Sequence, residues 1–480
     1  MARRQKNQVD GRTHRSLDSA ALPLHELSLF CLLLSAALLR LLILSHDVRF
    51  HPDEALYATY ARRMALYGDL LLRDAPLDKP PLGMFLTALS FSLLRESEFA
   101  ARLPSVFLSL ISVSACYALA RRLLNRRAAL ICLAIMTFSP FDLAFSGSAF
   151  HDPLLTACCL LCALCLSRDQ PFGAGILAAC ALATKQSAVQ FLPVYCLLGV
   201  VGARWLTVGS LWRFCLPILI GAAALAWWSA ARAAPADFWT LGVLNPGALR
   251  LIRSDEVLPR LARWSALYGE SVGFVPLLLI VIYAVWRCLQ QPSRAATVIL
   301  ISACSLLAML FAYWLLAFPI YDRYLLPLVP LTALLLAYSL AQWRSRLAIF
   351  AALALMLPFT LRTLRNEHSI GIQSELFRGV DQLAAHIRTL EGAPLIYDHW
   401  LSWELRYYLG DSPRAQLVWY PSAEWLARDV CNLPTPSYFA APEPLAWRWL
   451  AVLNAAGARL NPIARTPLVL YQITCEQESP

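Results

Sequence analysis

Apolar residues along this chain are gathered into runs that are too long and too uniform for the one-sided pattern of a soluble helix. Runs approaching the roughly twenty residues that cross a bilayer lie near 27–45, 103–120, 128–146, 153–167, 171–184, 187–203, 214–230, 271–286, 296–318, 324–341 and 347–361. They predict eleven membrane-spanning helices, several of them short enough to be partly buried in protein. The stretch PPLGMFLTALSFSLL at 80–94 is apolar but ends at Arg95, which suits a helix lying on a membrane face better than one crossing it. Beyond 361 the pattern changes. VDQLAAHIRTL, WLSWELRYYLG, PSAEWLARDV and EPLAWRWLAVLNAAG have helical spacing, whereas APLIYD, RAQLVWY, PSYFA and TPLVLYQI read as strands. Three segments follow: an N-terminal segment 1–26, a membrane domain 27–361 and a small α/β domain 362–480.

Composition agrees with the runs. The chain is 59% hydrophobic and 15% charged, with a mean hydropathy of +0.55, whereas a soluble domain carries about 25% charged residues. Its 15 Trp, 17 Tyr and 21 Phe suit helices with interfacial aromatic belts. The net charge of +10 is unevenly spread: residues 362–480 hold 10 Arg against 12 acids, so the excess belongs to the membrane part. Basic residues in short loops between apolar runs are first a topology signal, and no nucleic-acid partner is expected.

Arg3, Arg4, Lys6, Arg12 and Arg15 place the amino terminus in the cytoplasm and make the first run a true span rather than a cleaved leader. If 80–94 does not cross, Arg121, Arg122, Arg126, Arg127, Arg168, Arg204, Arg213, Arg287, Arg294, Arg344 and Arg346 also fall inside. The cytoplasmic segments then hold 16 basic residues against Asp10, Asp18, Glu26 and Asp169. The tail is expected outside, in a multi-pass inner membrane protein. Twelve of the 14 cysteines lie in apolar runs. The C-x-x-C-x-x-C spacing at Cys159, Cys162 and Cys165, beside Cys158, therefore reads as packing more readily than as a metal site. Cys431 and Cys475 lie in the tail, where an oxidising compartment would allow a disulfide.

This topology collects the chemically interesting groups on one face. Asp53 and Glu54 follow the first span, and Asp78-Lys79-Pro80 lies about 25 residues on. Between them Tyr57, Ala61, Met64, Ala65 and Leu66 form one helical stripe opposite Arg62 and Arg63, the pattern of an interfacial helix. Asp53 and Glu54 serve equally as a helix start, and Asp152, before Pro153, as a cap. Yet short spans and tight loops bring Asp53, Asp78 and Asp152 to one face, where carboxylates beside Lys79 can orient a hydroxyl and take its proton. Lys6, Lys79 and Lys185 are the only lysines among 41 basic residues, and two of them occupy outer turns as point charges for a phosphate or carboxylate. Arg323, followed by Tyr324, is a further phosphate partner or an interfacial arginine. His51 with Asp53, and His151 with Asp152, together with Asp78, also admit a divalent ion, Mg²⁺ or Mn²⁺. Arg40 is a lone charge inside the first span. P-loop, G-x-G-x-x-G and G-x-S-x-G patterns are absent.

The stretch D-E-x-x-Y-x-x-x-A-x-x-M-x-x-x-G-D at 53–69, D-K-P-P-L at 78–82 and S-E-F-A-A-R-L-P-S at 97–105 resemble the dolichyl-phosphate-mannose protein mannosyltransferase group of glycosyltransferase family 39 and its bacterial relative, the lipid A aminoarabinose transferase. His151-Asp152-Pro153, A-x-x-T-K-Q at 181–186 and R-Y-x-L-P-x-x-P at 323–330 support it, and the resemblance covers roughly residues 27–345. It implies the GT-C membrane fold and transfer of a sugar, with inversion, from a polyprenyl-phosphate donor to a lipid, glycan or protein acceptor on the outer face. By position, Asp53 resembles the residue that acts as base or orients the acceptor, and Asp152 the second-loop acid. Glu54, Tyr57, Asp78, Lys79, Lys185, Arg323 and Tyr324 fall in the substrate site, with Lys79, Lys185 and Arg323 steadying the departing phosphate. Asp78 stands where the family has Glu, and the 231–270 loop has no His, which puts a metal in doubt. A transporter or flippase of lipid-linked sugars is the competing class, but it predicts matching broken spans in two halves, and no such repeat is visible. A lipid phosphatase or oligosaccharide ligase would also take a polyprenyl-linked substrate.

Overall fold

The computed structural model describes residues 24–203, 207–234, 236–244, 250–271, 277–367, 375–410, 415–432 and 436–475. The basic cluster at Arg3–Arg15 and Arg204 lie outside them. Each of the eleven apolar runs contains helix. Among the described residues five helices are long and apolar enough to cross a membrane: His25–Leu44, Glu98–Leu123, Val208–Ala231, Arg294–Leu315 and Asp322–Ala341. A sixth span is formed if Arg126–Phe138 and Pro140–Ser146 are taken together, bent by 53° at Ser139. Asp152–Ser167, Pro171–Thr184, Ala188–Gly202 and Ile349–Leu364 are shorter apolar helices. Leu82–Leu94, the stretch expected to lie on the surface, has 13 residues. At 1.5 Å per residue it reaches about 20 Å, short of a ~30 Å hydrocarbon core.

Small residues let the short helices approach. A Cβ at Gly199 would lie 2.6 Å from Leu166 Cβ, and one at Gly202 2.6 Å from Ser167 Cβ, so Asp152–Ser167 and Ala188–Gly202 meet along a stripe that only glycine permits. Cys158, Cys159 and Cys162 are buried in that packing and Cys165 partly so, all as free thiols. Arg40 is not alone. It is fully buried, its guanidinium pairs with Asp142, and it donates to Ser109 Oγ (2.6 Å), Ala36 O (3.0 Å) and Met136 O (3.1 Å). The sequence hid this partner because Asp142 lies 102 residues away.

The tail contains β1 (Leu395–Asp398), β2 (Gln416–Trp419), β3 (Ser437–Pro442), β4 (Ala458–Arg465) and β5 (Leu468–Cys475), in the order β2-β1-β3-β5-β4. β1 runs parallel to β2 and β3, whereas β5 is antiparallel to β3 and β4. Alternation along β3 sends Phe439 and Ala441 to one core with Trp449 and Leu453, and Tyr438 and Ala440 to another with Leu383 and Leu405. The sequence pattern does not foresee β4. It is a largely exposed edge strand reading ARLNPIAR, with Pro462 at a register shift, which is where an edge tolerates proline. Cys431 and Cys475 are disulfide-bonded.

Helix Ser402–Leu409 of the tail packs against helix Pro52–Tyr67. Phe50 N donates to the Tyr408 hydroxyl (3.0 Å), which donates to Glu98. Arg62 donates to Tyr407 O (2.8 Å) and to Glu96 (3.0 Å). Helix 52–67 keeps the expected stripe at Tyr57, Ala61 and Met64, which are buried, and departs from it where Arg62 is buried and Leu66 is exposed. The arginine side is the side the tail covers.

Candidate active site

Helix 52–67 starts where its residues dictate. Pro52 occupies the first turn, His51 Nδ1 accepts from Asp53 N (3.2 Å), and Glu54 Oε2 accepts from His51 N (3.0 Å), closing a reciprocal cap. Glu54 does more than cap. Fully buried, it accepts from Arg102 Nε (3.1 Å), Arg102 Nη2 (2.9 Å) and Ala149 N (2.7 Å). Arg102 also donates to Val48 O (2.6 Å) and Arg49 O (3.2 Å). One buried pair thus joins the chain before Asp53 to the loop before Asp152. Both carboxylate oxygens of Glu54 accept from protein donors and are buried, so its carboxylate does not open on the site.

Each acid that does open on it faces a cation. Asp53 pairs with Arg323, Lys185 Nζ lies 2.6 Å from Asp152 Oδ1, and Lys79 Nζ lies 2.6 Å from Asp78 Oδ2. Burial, the strongest influence, pushes Asp53 up, but Arg323, His51 and Lys79 together outweigh it and hold the carboxyl below its ordinary range. Burial lowers the Lys185 ammonium against the pull of Asp152. Tyr57 is held protonated by burial and by Asp78, Asp53 and Asp152, whose charges all reach it. Its ring stacks on His151 at 4.1 Å. Burial pushes His151 down to about 4, and among the described residues neither ring nitrogen has a hydrogen-bond partner. Lys185 lies 5.0 Å over the Tyr324 ring, and Arg323 lies over Tyr321 (4.7 Å) and Phe150 (5.4 Å). Asp53, Tyr57, Asp78, Lys79, Asp152, Lys185, Arg323 and Tyr324 are therefore brought together, and Glu54 sits behind them.

The metal candidates share the site without forming a ligand set. Among the described residues no three His, Cys, Asp or Glu side chains are grouped to hold an ion. His51 caps a helix, and the carboxylates are balanced by Lys79, Lys185 and Arg323 instead.

Several site-shaping residues carried no individual signal. Gln186, inside the T-K-Q step, donates to Asp78 O (2.8 Å) and Phe238 O (2.7 Å). Arg232 donates to Leu71 O (3.0 Å) and Ala75 O (2.6 Å), and Trp228 to Leu70 O (3.1 Å), fixing the turn that leads to Lys79. Directly after Lys79 an apolar groove of about 580 Å³ opens, lined by Pro81, Leu82, Phe85, Phe172, Ile176 and Trp228 among others, between helices 82–94, 171–184 and 208–231. Gly83 beside it has a specific task. A Cβ there would lie 2.3 Å from His151 Cδ2. Gly83→Ala is expected to tilt the imidazole off Tyr57 and lower turnover about 10–100-fold, the scale of an ångström-level displacement, with folding retained. Unchanged turnover in the purified variant would show that the stack does not set the site.

Residues 78–228 match the sequence model of the family described as dolichyl-phosphate-mannose-protein mannosyltransferase. The structure superposes on the crystal structure of ArnT from Cupriavidus metallidurans bound to undecaprenyl phosphate with a TM-score of 0.65, at 17% identity, over 94% of this chain and 98% of that one. The chain has the GT-C fold and is related to the aminoarabinose transferases. Curated relatives named undecaprenyl phosphate-alpha-4-amino-4-deoxy-L-arabinose arabinosyl transferase include one from Pectobacterium carotovorum, 30% identical over 42% of this chain, and one from Pseudomonas paraeruginosa, 33% identical over 26%. These alignments span 40% and 24% of the two relatives' own lengths. The matched family region begins at Asp78, so within this GT-C chain it contains Lys79, Asp152 and Lys185 but not Asp53.

Proposed function

We propose that the protein is a membrane glycosyltransferase that moves a sugar from a polyprenyl-phosphate donor to an acceptor hydroxyl. The observation that carries this reading is the adjacency of the apolar groove and the cationic groups: the groove begins at Pro81, two residues after Lys79. The prenyl chain lies in the groove, and Lys79, Lys185 and Arg323 receive its phosphate. Asp53 orients the acceptor hydroxyl and takes its proton as the new carbon–oxygen bond forms. The anomeric carbon–oxygen bond to phosphate breaks with its electron pair leaving on the lipid phosphate, where the cations stabilise the charge. Attack from the face opposite the phosphate inverts the anomeric carbon. Asp152 holds Lys185 in place, and Tyr57 and Tyr324 wall the sugar. Glu54 acts from behind, as a positioning residue.

The relatives' names favour a pentose such as an aminoarabinose on undecaprenyl phosphate, with a lipid, glycan or protein as acceptor. The site lies on the outer face of an inner membrane, with the amino terminus inside and residues 362–480 outside. Protease added to sealed right-side-out vesicles is then expected to remove the tail; protection of the tail would reverse the orientation. The function itself is tested by incubating purified protein with a panel of polyprenyl-phosphate sugars and a membrane lipid and glycan extract as acceptor, and following the donors by mass spectrometry. Release of free polyprenyl phosphate from at least one donor is expected. A donor carried across a vesicle membrane but never cleaved would favour the flippase reading.

A further inference from the structure

A second cleft, of about 410 Å³, lies between helix 52–67 and the tail helix 402–409 and is lined by Thr59, Tyr60, Arg63, Tyr67, Asp69, Trp403 and Arg406. Its volume is within the range of small-ligand sites. Thr59 follows Asp53 by six residues on one helix, a rise of about 9 Å. The cleft therefore starts within one or two sugar rings of the reacting carboxylate and leads away from it.

Its walls combine three kinds of group. Tyr60 and Trp403 meet edge to face with ring centroids 5.7 Å apart, offering an apolar ring face. Thr59 is 3% exposed, and among the described residues its hydroxyl has no hydrogen-bond partner, a buried polar group of the kind that structures leave unpaired only rarely. Arg63 is balanced by Asp69. Arg406 lies 5.1 Å over the Trp403 ring, and among the described residues it has no carboxylate within 4.0 Å. An aromatic face, a buried hydroxyl and an exposed guanidinium outside any direct ion pair among the described residues together suit a sugar ring that bears an anion.

We propose that this cleft binds a saccharide unit of the acceptor carrying a phosphate or carboxylate, with the anion on Arg406, the ring against Trp403 and a hydroxyl on Thr59. The proposal rests on the transferase reading above, and it gives the tail a share in choosing the acceptor. Purified full-length protein is titrated with glucose 6-phosphate, glucuronic acid, glucose and glycerol 3-phosphate, with binding followed by saturation-transfer NMR. The two anionic sugars are expected to bind more tightly than glycerol 3-phosphate, which has no ring for Trp403, and about tenfold more tightly than glucose, the worth of one charge-assisted contact. Arg406→Gln should remove that advantage, and Thr59→Val and Trp403→Leu should weaken all three sugars, with Trp403→Phe restoring them. Cleavage of donor alone should be unchanged in Arg406→Gln. Sugar binding unaffected by Arg406→Gln overturns the cleft while donor cleavage persists. Glycerol 3-phosphate binding as well as glucose 6-phosphate would assign the pocket to a lipid headgroup and overturn it too. No donor cleavage in the unmodified protein would instead remove the transferase reading.

Discussion

Asp53→Asn is expected to lower sugar transfer about 10²–10⁴-fold, the range of a lost general base, with the protein still folded and inserted. Asparagine has nearly the volume of aspartate. Arg323 keeps its place without the pair, because it also lies over Phe150 and Tyr321, and the helix start depends on His51, Pro52 and Glu54. Only the charge and the proton acceptor are lost. A single-turnover assay with saturating donor measures this, and a normal rate would remove Asp53 from the reaction. The pH profile sharpens the claim. The Asp53 carboxyl is held below its ordinary value of 3.8, so the proton-accepting form is present above a low pKa and is lost as pH falls through it. The acid limb of kcat/KM is therefore expected below the usual carboxylate range. Arg323→Gln leaves burial unopposed by its principal counter-charge and should move that limb upward.

Glu54→Gln is expected to cost about 3–5 kcal/mol of stability, the penalty for leaving one partner of a buried ion pair uncompensated. Glu54 is fully buried and Arg102 is 4% exposed. An amide carries one acceptor oxygen where Arg102 Nε, Arg102 Nη2, Ala149 N and His51 N now find two. The thermal unfolding midpoint in detergent should fall markedly, and activity with it, since the same pair sets Asp53 against the Asp152 loop. Glu54→Leu combined with Arg102→Leu should recover much of the midpoint but not the activity, because an apolar pair fills the space without donating to Val48 O or Arg49 O. Recovery of both would reduce the pair to filler.

The two acids side by side in Asp53-Glu54 show what the sequence could and could not convey. Their location after an apolar run, and the approach of Asp78, Asp152, Lys79, Lys185 and Arg323, followed from short spans and tight loops. What separated the two roles was the partner of each, and partners are tertiary facts: Arg102 is 48 residues from Glu54, and Arg323 is 270 from Asp53. Helix 52–67 was legible as a helix and in its stripe at Tyr57, Ala61 and Met64, which are buried. Arg62 has the hydropathy of an exposed residue, and the tail reversed it by supplying Tyr407 O as its acceptor. The exposed edge β4 escaped detection because nothing buries it and no alternation is required of it. The tail's share in the second cleft was invisible for the same reason as the Glu54 partner.

The buried Arg40–Asp142 pair also bears on the order in which this chain is assembled. Asp142 is synthesised 102 residues after Arg40, an interval of roughly 5–20 s at ~5–20 residues per second. Throughout it the first span must tolerate an uncompensated arginine about one turn from its C-terminal end, at a penalty below that of the helix centre, about 2.5–3.5 kcal/mol. The surrounding leucines of helix 24–44 offset it. Arrival of the Asp142 helix then converts a tolerated charge into a tether that draws the first span against Ser109 and the bent 126–146 pair. Membrane insertion and bundle closure are thus separate events in time for this chain.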